Sequence, residues 1–139
     1  MLQLAGKFPQ VAALGDPSLE RMSDGMAFGL MLLDGNTCNL SVEELEQGRS
    51  KWIGRVSNLK KLLLKMGDVL EERKEKTDPI AEIDVVEIAK HHSPDHLARF
   101  FEVVVTLLMG GPHKQRYVTM IMALPQDIQN TFFHLIDAP

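Results

Sequence analysis

Apolar residues return at intervals of three and four along almost the whole chain, and no stretch alternates cleanly enough for a strand, so the pattern predicts an all-α domain. Leu2, Leu4, Phe8, Val11, Ala12 and Leu14 form a short amphipathic first helix interrupted at Pro9, and Gly15-Asp16-Pro17-Ser18 is a turn. Ser23 is placed to cap a helix carrying Met26, Phe28, Leu30, Met31, Leu32 and Leu33, and Asp34-Gly35-Asn36 ends it through residues that tolerate left-handed backbone. Ser41 with Glu44 three residues on is a capping box that opens a short acidic helix to about Gln47.

The longest helix is expected from about Ser50 to Lys74, with Trp52, Val56, Leu59, Leu63, Met66 and Leu70 on its core face. Glu71 to Pro79 reads as a solvated helix end and loop. Asp84 can cap a short helix to Lys90, and Ser93-Pro94-Asp95 supplies a cap, a first-turn proline and a first-turn acid to the next. There Leu97, Phe100, Phe101, Val103, Val104, Val105, Leu107, Leu108 and Met109 cover nearly every side, which predicts the central helix of the domain.

Beyond Gly110-Gly111-Pro112, the segment His113 to Leu124 turns from polar to apolar. At 100° per residue Tyr117, Ile121 and Leu124 share one stripe, and Val118 and Met122 share a neighbouring one with Gln115 leading into it. One stripe can pack on the central helix while the other faces out. Methionines such as Met120 and Met122 most often fill cores, yet their flexible thioethers also suit surfaces that accept partner helices. After Pro125, residues Ile128, Phe132, Phe133, Leu135 and Ile136 predict a last amphipathic helix.

Composition narrows the class without changing that outline. The 139 residues suffice for one domain over 1–139 that buries about 70% of its unfolded surface. One cysteine, Cys38, excludes an internal disulfide framework and points to a reducing, cytoplasmic setting. A net charge of −4 gives no global field for nucleic acid or acidic lipid. The apolar run ending at Met109 falls far short of the roughly 20 residues of a bilayer span, and Met1 to Lys7 lacks a basic leader, so neither membrane insertion nor a secretory signal is expected.

Candidate chemistry is sparse. His91, His92, Asp95 and His96 are metal-ligand types, but they sit where one helix ends and the next begins, and the charge complementarity of those ends accounts for them better. Cys38 has no sequence-near histidine and reads as an inert packed thiol. No nucleophile elbow or Gly-rich phosphate loop occurs, so neither catalysis nor a cofactor is expected. Lys51, Arg55, Lys60, Lys61 and Lys65 flank the stripe of the long helix; Lys60, Lys61 and Lys65 offer a basic face to a microtubule or actin filament, with a solvated face as the plainer reading.

The order of several blocks carries a resemblance. Ser50-Lys51-Trp52-Ile53-Gly54-Arg55-Val56-Ser57-Asn58-Leu59-Lys60-Lys61, then Leu97-Ala98-Arg99-Phe100-Phe101, then Lys114-Gln115-Arg116-Tyr117-Val118-Thr119-Met120-Ile121-Met122, and Asp127-Ile128-Gln129, resemble the N-terminal Hook domain of Hook-family dynein adaptors, with Ser23-Asp24-Gly25-Met26 and Phe28 similar to an earlier segment. The resemblance implies a calponin-homology-like fold with an additional C-terminal helix. It also implies a cytoplasmic, cytoskeleton-associated adaptor that receives the C-terminal helix of the dynein light intermediate chain in an apolar groove, linking the motor to cargo. Carried over by position, Gln115 is the polar anchor of that groove and Val118, Thr119, Ile121 and Met122 its floor or wall. Family members dimerise through a downstream coiled coil, so this domain alone is expected to be monomeric, and a purely structural cap on such a coiled coil is a third reading. Pro125 stands where the family continues with acidic residues and is expected to shorten or kink the added helix.

Overall fold

The structure, a computed structural model, describes residues 1–15 and 18–130. Among them every regular element is helical: α1 (Leu2–Ala5), α2 (Pro9–Ala12), α3 (Leu19–Met22), α4 (Met26–Asp34), α5 (Val42–Gln47), α6 (Trp52–Glu72), α7 (Asp78–Ala81), α8 (Val85–His91), α9 (Pro94–Met109), α10 (Lys114–Met122) and α11 (Gln126–Asn130). Local chemistry sets most of the starts. Ser41 Oγ accepts the Glu44 amide at 3.3 Å, Asp84 Oδ1 accepts the amides of Val86 and Glu87 at 3.0 and 3.3 Å, and Ser93 Oγ accepts that of His96 at 3.4 Å. Pro9 opens α2 from its first turn, splitting the expected first helix in two.

The start of α4 differs from the expectation. Ser23 closes the one-turn α3, its Oγ donating to the Leu19 carbonyl at 2.6 Å, and the capping oxygen comes from Asp24, whose Oδ1 accepts the Met26 amide at 2.9 Å. Between them Gly25 adopts a left-handed φ of 83°, and a Cβ there would lie 3.1 Å from the Asn58 Cβ, so α6 leaves that turn room for little beyond glycine. A second unforeseen element is α7, one turn with Pro79 near its start, inside the stretch expected to be loop up to Pro79.

At the centre α9 is sealed as its composition requires, with Leu97, Phe100, Val104 and Leu107 fully buried. The Phe28 ring of α4 stacks on Phe100 with centroids 4.5 Å apart and tilts against Phe101 at 6.4 Å. Helices α3, α4, α6, α7, α8 and α10 all pack on α9. Its last turn is held by α6, since Arg73 Nη1 donates to the Leu107 carbonyl at 2.9 Å.

The core stripe of α6 is rotated from the expected one. Leu59, Met66 and Leu70 are buried as expected, but Leu62 fills the position assigned to Leu63, and Trp52 stays 41% exposed with the Lys90 ammonium 4.7 Å from its ring centroid. A buried polar residue sets this rotation. Asn58 Nδ2 donates to the Asp24 carbonyl at 3.0 Å and the Leu45 carbonyl at 2.7 Å, tying α6 to the head of α4 and to α5. One turn earlier, Gly54 lets the Gly48 loop lie against α6, where a Cβ would stand 2.5 Å from the Gly48 oxygen. Asn58→Leu keeps the volume but strands both carbonyls in the interior, and is expected to lower unfolding free energy by about 1–3 kcal/mol. A urea midpoint equal to that of the parent protein would show that the two bonds do not hold α6 in place.

Candidate functional site

The surface with most to offer a partner is built on α10. Gly110, Gly111 and Pro112 end α9 and turn the chain, so that α10 runs back over the body of the domain. Of the two stripes that periodicity left open, the inward one is that of Tyr117, Ile121 and Leu124: Tyr117 and Ile121 are 2% and 0% exposed, and Leu124 just beyond is also buried. The Tyr117 ring stacks on Phe8, centroids 5.6 Å apart and planes 20° from parallel. Its hydroxyl donates to Asp34 Oδ2 at 2.7 Å, and Arg116 Nη2 donates to the same oxygen at 2.7 Å and to the Asp34 carbonyl at 3.0 Å. The Arg116 guanidinium also lies over the Tyr117 ring, 5.1 Å from its centroid. Asp34 at the end of α4 is thus a latch for the first turns of α10. Sequence reasoning assigned it only the role of ending a helix.

The far end of α10 is fastened by a side chain that sequence reasoning also missed. Pro125 ends the helix as expected, and four residues later Gln129 is buried with Nε2 donating to the carbonyls of Met122 at 2.9 Å and Leu124 at 2.7 Å. The amide supplies the donors that α10 lacks where it stops. Local sequence gave no sign of it, since Gln126, Asp127, Asn130 and Thr131 around it are polar as well. Phe132, Phe133, Leu135 and Ile136 lie outside the described residues.

The residues proposed for a partner groove fall into two groups. Gln115 and Thr119 are exposed, Val118 is half-buried, and Met122 is 54% exposed, forming one outward strip along α10. Thr119 Oγ1 donates to the Gln115 carbonyl at 2.9 Å, an internal bond that leaves its methyl on the strip. Ile121 is not on it. Periodicity already grouped Ile121 with Tyr117 and Leu124, and its complete burial removes it from the surface positions that the family blocks suggested. Four well-formed clefts lie on or around α3, α6, α7, α8 and α9, and α10 lines none of these four.

The remaining candidates disperse. His96 Nδ1 accepts the Asp84 amide at 3.0 Å and so serves the start of α8, while His92 takes a left-handed φ of 51° at that helix's end. Among the described residues no group of three or more His, Cys, Asp or Glu side chains could hold a metal. Burial pushes the Cys38 thiol up, away from the nucleophilic thiolate. On the basic face, Arg55 turns inward, Nε and Nη2 donating to the Ala89 carbonyl at 3.2 and 3.1 Å and Nη1 to that of Arg49 at 3.3 Å. Lys61 lies 3.7 Å from Glu44, while Lys51, Lys60 and Lys65 are exposed.

Fold and surface together define an all-α, calponin-homology-like domain with an additional C-terminal helix. The HOOK domain family matches residues 18–137, and the chain belongs to it. Comparison with curated proteins and with solved structures gives no match. HOOK domains are non-enzymatic adaptor domains, and membership carries an adaptor-type role in linking dynein to cargo. No helix among the described residues is long and apolar enough to cross a membrane.

The latch has a pH signature. Burial pushes the Tyr117 phenol up to about 12 against an ordinary 10.0, with the hydrogen bond from Arg116 Nη2 at 3.0 Å opposing the rise and the bond to Asp34 adding to it. An acid whose proton is held more tightly in the folded state stabilises the fold fully below its unfolded pKa and loses that contribution as pH rises through the folded one. The stability of the parent protein relative to Tyr117→Phe is therefore expected to be constant up to about pH 10 and to fall as pH rises from there through about 12. Paired urea titrations across that range check it, and a difference independent of pH would mean that the folded state does not hold the phenol proton more tightly than the unfolded one.

Proposed function

We propose that this domain docks the C-terminal helix of the dynein light intermediate chain along the outward strip of α10, connecting cytoplasmic dynein to cargo at the cytoskeleton. One observation carries the reading: α10 is clamped from beneath by Tyr117 and Ile121 and at its ends by Asp34 and Gln129, yet it leaves Met122 54% exposed beside half-buried Val118. A helix held this firmly with an apolar strip still facing water is a preorganised acceptor, because little order has to be created when a partner arrives. Large apolar side chains of the incoming helix would cover Val118, the Thr119 methyl and Met122, gaining about 25 cal/mol for each Å² removed from water. Gln115, exposed in the first turn, is placed to hydrogen-bond the groups that the ligand's helix leaves unpaired at its end.

Fluorescence-anisotropy titration of the light-intermediate-chain helix peptide against the whole chain tests this. Saturable binding is expected, falling at least about tenfold in Met122→Glu and measurably in Gln115→Ala, and changing little with salt because the contact is apolar. Met122 is half in solvent, so its replacement should leave the thermal unfolding curve nearly unmoved. Absence of binding to the parent protein, or equal binding to Met122→Glu, would overturn the assignment.

A further inference from the structure

A second surface, on α6, has a pattern of its own. Lys60, Leu64, Gly67 and Glu71 follow one another at steps of four, three and four residues, which sets them in a single line along the helix. All four line one groove of about 340 Å³, whose far wall is Ile80 of α7. Leu64 is 69% exposed. Gly67, one turn on, carries no side chain, and the place its Cβ would take is in van der Waals contact with Ile80 Cδ1 at 3.6 Å. Neither Lys60 nor Glu71 belongs to an ion pair among the described residues.

The order along the line is cation, large, small, anion, and it is complementary to its own reverse. When two such helices run antiparallel with residue 60 opposite 71, residue 64 falls opposite 67 as well. A two-fold axis then sets Lys60 against Glu71 twice and Leu64 over the side-chain-free Gly67 twice. An isologous interface asks for this property, since whatever one copy presents at a position must fit what the other presents at its mate. A parallel arrangement would oppose like charges and set leucine on leucine.

We propose that this face of α6 is an interface between two copies of the chain, packed antiparallel about an axis passing between residues 64 and 67. The seam covers eleven residue steps, about 16 Å of helix, so the interface is small and the association weak, departing from the monomer expected of the isolated domain only at high concentration. It lies on a different helix from the α10 strip, so that self-association and capture of a partner helix do not compete for the same side chains.

Analytical ultracentrifugation of the whole chain from about 10 μM to about 1 mM at low salt tests the proposal. The weight-average mass is expected to rise with concentration from 15.6 kDa toward twice that value. Leu64→Glu should stay at the monomer mass throughout, and its exposed position lets it fold normally, as circular dichroism would verify. Lys60→Glu should weaken association at least about tenfold, because both ion pairs become repulsions. Combining it with Glu71→Lys should restore association, since the exchanged charges are again complementary. A mass that stays at the monomer value to the highest concentration overturns the proposal and gives the groove to some other occupant. Association that survives Leu64→Glu, or that the double exchange fails to rescue, overturns it as well.

Discussion

A helix that is apolar on nearly every side can persist in water only if other helices enclose it, and α9 imposes that condition on the whole domain. Its sixteen residues include nine buried apolar side chains. Six helices, α3, α4, α6, α7, α8 and α10, form the enclosure, with the rings of Phe28 and Phe100 stacked between α4 and α9. The amphipathic character of α6 and α10 follows from the same demand. Each lends one stripe to α9 and keeps another in solvent, and both surfaces available to partners are those remaining stripes.

Enclosing one helix with many short ones creates many helix ends, and every end leaves backbone groups without partners. The domain solves this with long side chains reaching across from other elements. Asn58 serves carbonyls next to α4 and in α5, Arg55 serves the end of α8, Arg73 the end of α9, and Gln129 the end of α10. Each donor therefore both satisfies a buried acceptor and fixes one helix against another, which accounts for well-defined packing among elements as short as one turn. Arg55 illustrates the trade, since a charge that could have joined a basic surface is committed to the interior.

What could be read from the sequence divides by distance along the chain. The caps at Ser41, Asp84 and Ser93 are bonds between residues two or three apart, and local pattern was enough to place them. The central position of α9 follows from periodicity, which also divided α10 into two stripes but could not say which of them is buried. The rotation of α6 that buries Leu62 in place of Leu63 was not legible, because Asn58 sets it by bonding to groups 34 and 13 residues away. Asp34 was invisible as a latch for the same reason, its partner Tyr117 being 83 residues downstream. Periodicity grouped Ile121 with Tyr117 and Leu124 without saying which way that stripe faces, the family blocks put it along the groove, and the structure buries it.

The stacking of Phe8 under Tyr117 gives the domain two different boundaries. Recognised by family pattern, it begins at residue 18. Mechanically it begins earlier, because Leu4, Ala5, Phe8 and Val11 are all buried and Phe8 is part of the floor on which α10 rests. A fragment cut where the family pattern starts would keep every residue of the outward strip while losing a piece of its foundation, and the orientation of α10 is thus partly the work of a segment that the family pattern does not include.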